Sequence, residues 1–95
     1  MKFEWDENKN RTNKIKHGVS FDEAETVFDD KYAIFLYDES HSSDEERFII
    51  IGIDSLFREL MVCHCYRGGD DEIIRIISAR KATKNEIELY KSGRC

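Results

Sequence analysis

Hydrophobic positions are sparse over the first twenty residues, helically spaced over the next ten, and alternating or continuous from residue 32 to residue 78. Phe3-Glu4-Trp5 is apolar–polar–apolar, the pattern of a short edge strand. Asp6 can cap a helix over about residues 7–17, and Gly18 can end it. Ser20 and Glu23 have capping-box spacing, opening a second helix whose Phe21, Ala24, Val27 and Phe28 form one apolar stripe. Asp29-Asp30 breaks it. Residues 32–37, 47–53, 58–66 and 72–78 read as four strands, joined by an acidic loop, a turn at residues 54–57 and a glycine-bearing turn at residues 67–71. Thr83 and Glu86 have capping-box spacing again, for a last helix to about Lys91.

These elements predict an α+β fold in two layers. A four-stranded antiparallel meander, with a possible short fifth strand at the N-terminus, carries two N-terminal helices and one C-terminal helix. Ninety-five residues at 40% hydrophobic make one small domain, residues 1–95, with a thin core.

Two elements fit this pattern poorly. The first helix has Ile15 as its only large aliphatic residue, among Lys9, Arg11, Lys14, Lys16 and His17. It is either a solvated helix anchored by Trp5 and Ile15 or a cationic surface for a phosphate backbone or an acidic partner. The last strand packs four isoleucines into Ile73, Ile74, Ile76 and Ile77, yet Arg75 stands among them and Arg80 follows where the strand should end. A guanidinium stays charged, so burial demands an anionic partner or a route to solvent. That partner is one of the protein's own twenty carboxylates or an anionic ligand.

Charge placement sharpens the choice. The net charge of −5 divides into +2 over residues 1–19, −9 over residues 20–46 and +2 over residues 47–95. Three cysteines with no signal-peptide pattern predict a cytoplasmic chain with reduced thiols. Cys63-His64-Cys65 on a strand would point its sulfurs one way and its imidazole the other, so it predicts no metal site. No apolar run approaches membrane-spanning length, and no cofactor motif is present.

Arg67 and Arg75 flank one turn, with His64, Tyr66 and Ser78 nearby. Arginine, histidine and tyrosine without a carboxylate dyad suit metal-free RNA cleavage by 2′-hydroxyl attack. That reaction needs a base, a cation for the pentacoordinate phosphate and an acid for the leaving oxygen. Arg supplies bidentate fixed charge, and His titrates in a useful range.

Several runs carry a family resemblance: Phe3-Glu4-Trp5-Asp6; His17-Gly18-Val19-Ser20-Phe21-Asp22-Glu23-Ala24; Val27-Phe28; Glu46-Arg47-Phe48 with Ile51-Gly52; Arg75-Ile76-Ile77-Ser78-Ala79-Arg80-Lys81-Ala82; and the closing Glu86 and Tyr90. In this order they resemble the BrnT family of toxins. The resemblance implies a RelE-like fold and a type II toxin, a ribonuclease that blocks translation and is held inactive by a BrnA-like antitoxin in a hetero-oligomer. It also implies that DNA is contacted only through the antitoxin; no helix here resembles a helix-turn-helix recognition helix. Carried over by position, the family's functional arginines correspond best to Arg67 and Arg80, with Arg75 close by. His64, Glu86 or Tyr90 would handle protons, and Lys9, Arg11, Lys14 and Lys16 would extend the phosphate track. Asp30-Lys31 stands where relatives often have Asp-Pro, and Phe57-Arg58 where Gly-Arg is common. The competing expectation is a non-catalytic module that docks a protein through an open sheet face and the basic helix.

Overall fold

A computed structural model describes residues 1–41 and 45–93. In chain order the elements are β1 (Lys2–Glu4), α1 (Glu7–His17), α2 (Phe21–Glu25) continued by a 3-10 turn at Thr26–Asp29, β2 (Ile34–Tyr37), a 3-10 turn at Glu39–His41, β3 (Phe48–Ile53), β4 (Glu59–Arg67), β5 (Ile73–Lys81) and α3 (Lys84–Ser92). Cys95 lies outside the described residues.

The expected caps are present. Asp6 accepts from the backbone N–H groups of Asn8 and Lys9, and Gly18 closes α1 in the left-handed region at φ 72°. Both capping boxes, Ser20 with Glu23 and Thr83 with Glu86, are formed. Each satisfies donors that a helix start leaves orphaned.

The strands form one five-stranded sheet in the order β1-β5-β4-β3-β2. The pairs β2–β3, β3–β4 and β4–β5 are antiparallel. β1 is the fifth strand and lies parallel to β5, with Phe3 opposite Ile74 and Glu4 opposite Arg75. The sheet is therefore mixed. A strand separated from its neighbour by the whole chain has no turn to fix its direction, so sequence spacing could not predict the parallel pairing.

The helices are not all on one face, which corrects the two-layer expectation. On the inner face Ile50, Leu60, Val62, Ile76 and Ala79 pack with Val19, Phe21, Ala24 and Val27 from the region of α1 and α2. On the outer face Tyr90 of α3 packs with Ile51 and Met61, flanked by Ile34, Ile49, Ile53 and Ala82. β3 and β4 have apolar residues facing both ways, so each face needs a cover. Gly52 permits the close inner-face packing: a Cβ there would meet Ala33 Cβ and Asp30 Oδ2 at 3.0 Å and Val27 Cγ1 at 3.1 Å.

Helix α1 is held by polar bonds. Ile15, expected to anchor it, is 81% exposed, while Asn10 and Asn13 are buried. Asn13 Nδ2 donates to the carbonyls of Val19 (2.9 Å) and Ala79 (2.8 Å), and its Oδ1 accepts from the Ala79 N–H (3.2 Å). One amide thus completes the edge of β5 at Ala79, beyond the end of β1. Asn10 Oδ1 accepts from the Phe21 N–H at 2.8 Å, tying the start of α2 to α1.

Arg58 makes a second polar tie. It donates through Nε (3.0 Å) and Nη2 (2.6 Å) to Asp54 Oδ2, and through Nη1 to the Gly18 carbonyl (3.3 Å). Its Nη2 also lies 3.3 Å from Glu23 Oε1. The Ser20 backbone N–H and then Arg58 outweigh burial and hold the Glu23 carboxyl down at about 2. The same turn contains Phe57 at φ 63°, where an L side chain is strained. That explains why a Gly-Arg pair suits this turn.

Asn13→Ala should destabilise the fold by about 2–3 kcal/mol, because it orphans both backbone groups of Ala79. Ile15→Glu should stay within about 0.5 kcal/mol of wild type. Urea denaturation of the two variants checks both values. Phe57→Gly should stabilise by about 1 kcal/mol, read as a raised melting temperature.

Candidate functional site

Opposed residues of an antiparallel pair share a face, and β4 runs Met61, Cys63, Cys65, Arg67 along the outer one. Their partners on β5 are Arg80, Ser78, Arg75 and Ile73. Simple alternation would put Arg75 and Arg80 on opposite faces, since five positions separate them. A bulge resolves this: Cys63 pairs Ser78 and His64 pairs Ile76, leaving Ile77 as the extra residue. The three predicted arginines therefore all belong to the outer face. Arg80, expected past the strand end, lies within β5 opposite Met61.

Each guanidinium meets a carboxylate. Arg67 Nη2 is 3.0 Å from Glu45 Oε2, and Arg75 Nη1 is 2.8 Å from Glu4 Oε2. Arg80 grips Glu86 with both terminal nitrogens, at 2.8 and 3.0 Å, and also donates to the Lys81 carbonyl. The side chains are 47%, 30% and 34% exposed for Arg67, Arg75 and Arg80, so all three reach solvent. Glu86 also accepts from the Thr83 N–H at 2.8 Å, so the Arg80 pair fastens the end of β5 to the first turn of α3. Arg80, ahead of burial and Thr83, holds the Glu86 carboxyl below the ordinary glutamate range.

The remaining predicted residues scatter. His64 is fully buried on the inner face, away from the arginines. Its ring sits edge-on to Phe28 (centroids 4.9 Å) and Tyr66 (5.5 Å), with Phe35 and Phe48 also close. Nδ1 lies 3.3 Å from the Val62 carbonyl, and Nε2 is buried without a hydrogen-bond partner among the described residues. Burial pushes its pKa below 6.5. Tyr90 is buried under the outer-face core and donates its hydroxyl to Asp30 Oδ2 at 2.7 Å. Of the three predicted proton carriers only Glu86 bonds to an arginine; Tyr90 shares the outer face but is buried with its hydroxyl on Asp30. Cys63 is on the outer face; burial, then Asp38, pushes its thiol up to about 11. Among the described residues no three His, Cys, Asp or Glu side chains are grouped to hold a metal ion.

The basic helix divides as well. At 3.6 residues per turn Lys9 and Lys16 lie about 20° apart, while Arg11 and Lys14 fall on the other side. Lys9 and Lys16 line a cavity of about 340 Å³ with Thr12, His17, Ile77 and Ser78, between α1 and the bulged part of β5. Lys14 instead faces Glu23 at 3.5 Å. Sequence reasoning missed Ser78 and His17 as wall residues, along with Glu4 and Glu45 as arginine partners. The β1–β5 register brings Glu4 to Arg75, and neither Glu4 nor Glu45 is near its arginine in sequence.

Fold and face together define a small α+β protein whose outer sheet face carries three arginines, each paired with a carboxylate and reaching solvent. Its sequence matches the family model described as "Ribonuclease toxin, BrnT, of type II toxin-antitoxin system" over residues 5–86, and the chain belongs to that family. It is similar to the crystal structure of the Brucella abortus ribonuclease toxin BrnT, with 29% identity and a TM-score of 0.67 over 88% of this chain and 99% of that one. Among curated protein sequences, none matches. No helix among the described residues is long and apolar enough to cross a membrane.

The placement of His64 gives a pH dependence. Between pH 6.5 and its lowered folded pKa the unfolded chain binds the proton and the folded one does not, so stability falls as pH drops below about 6.5. Urea denaturation at pH 8 and pH 5 should show this loss, and His64→Phe should remove that part of it.

Proposed function

We propose that the chain is an endoribonuclease toxin whose outer-face arginines bind the scissile phosphate of RNA, cleaving it without a metal. The observation that carries this reading is the bulge-set register that gives Arg67, Arg75 and Arg80 one common face. In the reaction a base takes the proton of the 2′-hydroxyl, and that oxygen bonds to the adjacent phosphorus. The bond from phosphorus to the 5′-oxygen breaks, and the leaving oxygen takes up a proton. The products are a 2′,3′-cyclic phosphate and a 5′-hydroxyl. The guanidiniums neutralise the charge that builds on the pentacoordinate phosphate.

The existing ion pairs are compatible with this role. A solvent-exposed pair such as Arg67–Glu45 is worth about 0–1 kcal/mol, so a phosphate can displace its carboxylate at little cost, whereas Arg75–Glu4 is partly buried. Arg80 is held in place by its bidentate partner, and Glu86, ionised at neutral pH, is the candidate base. Lys9 and Lys16 extend the phosphate path along the α1–β5 groove. Arg11 and Lys14, on the far side of the helix, contribute only to the general field. In this reading the fold is RelE-like, the chain acts in the cytoplasm to stop translation, and a BrnA-like antitoxin holds it in check.

One observation favours the other reading, a non-catalytic docking module: all three guanidiniums already have a carboxylate. Purified protein incubated with RNA in EDTA separates the two. Cleavage leaving 2′,3′-cyclic phosphate ends is expected, reduced by about 10²-fold in Arg67→Ala and Arg75→Ala. Their melting temperatures should stay near wild type. Arg80→Ala should lose activity and melt earlier, because it also releases α3. Full activity in the Arg67→Ala/Arg75→Ala double variant would exclude these two arginines as phosphate ligands.

A further inference from the structure

The sheet edge at β2 and the cavity beside it serve none of this chemistry. Among the described residues β2 pairs only with β3. The Asp38 N–H donates to the Arg47 carbonyl, and hydrogen-bonded pairs alternate along an antiparallel ladder. The backbone groups of Ile34 and Leu36 therefore face β3, and those of Phe35 and Tyr37 point outward. Edge strands are commonly guarded by a lysine, a proline or a bulge. The sequence of β2 is Ile-Phe-Leu-Tyr, with none of these, and Phe35 is 57% exposed beside exposed Leu36 and Tyr37.

Phe35 also forms the β2-side wall of a cavity of about 410 Å³ that runs along the inner face past Phe28, Asp29 and Tyr66 to Ile74 of β5 and Met1 and Phe3 at β1. It is roomy enough for a bulky apolar side chain, and its walls are mostly aromatic.

Charge decides what can sit here. Residues 29–39, which contain β2, carry Asp29, Asp30, Asp38 and Glu39 against the single Lys31. RNA would be repelled from such an edge, and a second copy would set the same acidic segment against itself. A cationic polypeptide is the complementary occupant. We infer that β2 and the adjoining cavity dock an extended, Lys- or Arg-bearing segment of the antitoxin, which adds a strand to β2 and seats a bulky apolar side chain in the cavity. This rests on the family's membership of toxin–antitoxin pairs and is independent of the arginine-face mechanism.

Titration calorimetry of the purified toxin with the antitoxin encoded beside it tests the inference. Tyr37→Pro removes one outward N–H without touching the β3 ladder. Phe35→Lys places a like charge on the edge and alters the cavity wall. Each variant should bind the antitoxin at least about tenfold more weakly, with RNA cleavage unchanged and a melt that stays cooperative but moves down, since Phe35 packs on Phe28 and His64 and Tyr37 on Phe48. Raising salt from about 0.1 to about 0.5 M should weaken the wild-type complex too. Wild-type affinity in Phe35→Lys overturns the inference, and that variant alone decides if Tyr37→Pro does not fold. A toxin dimer in sedimentation that Phe35→Lys dissolves also overturns it, assigning the edge to self-association. Loss of RNA binding rather than antitoxin binding in Phe35→Lys does the same. A protein that cleaves no RNA yet shows the predicted antitoxin affinities sinks the catalytic reading and leaves this one standing.

Discussion

One extra residue in β5 sets which side chains this protein offers to solvent. The bulge at Ile77 shifts the alternation of the strand, and the burial pattern records it: Ile74 and Ile76 are buried, then Ala79, with Ile77 and Ser78 both half-buried between them. Without that shift, either Arg75 or Arg80 would face the inner core, where an unpaired guanidinium costs several kcal/mol. With it, the inner face stays apolar and the outer face gathers the charges. Bulges near functional sites commonly re-aim a side chain in this way.

Much of the fold could be read from local chemistry. Asp6, Gly18 and the two capping boxes mark helix ends because their effect acts within a few residues. The strands follow from alternation and turn residues. The parallel pairing of β1, the outer-face seat of α3 and the bulge all depend on contacts between distant segments. For the same reason sequence could suggest the arginines but not their partners, since Glu4 and Arg75 meet only once β1 docks on β5. His64 drew attention as a chemically able group, yet its position between apolar strand residues meant burial. Ile15 misled in the opposite sense, because its hydrophobicity suggested an anchor and the helix is fastened by asparagines instead.

Charge is unevenly distributed across the sheet from β5 to β2. Arg75 and Arg80 stand on β5 with Lys9 and Lys16 beside it on α1, whereas Asp29, Asp30, Asp38 and Glu39 flank β2 in the chain, at the far edge of the sheet. Three steps of about 4.8 Å separate β5 from β2 across the sheet. The two groups of charges therefore lie toward different ends of a molecule whose longest extent is 35 Å.

The docking of α1 through Asn10 and Asn13 has a consequence for how such a chain can change over generations. An apolar stripe holds a helix by area, so it tolerates small rotations and constrains every residue near the contact. Two amides bonded to named backbone groups fix the rotation with two side chains and leave most of the circumference unconstrained. Selection can then rewrite the outward charges of this helix, one substitution at a time, while its seat on the sheet stays the same.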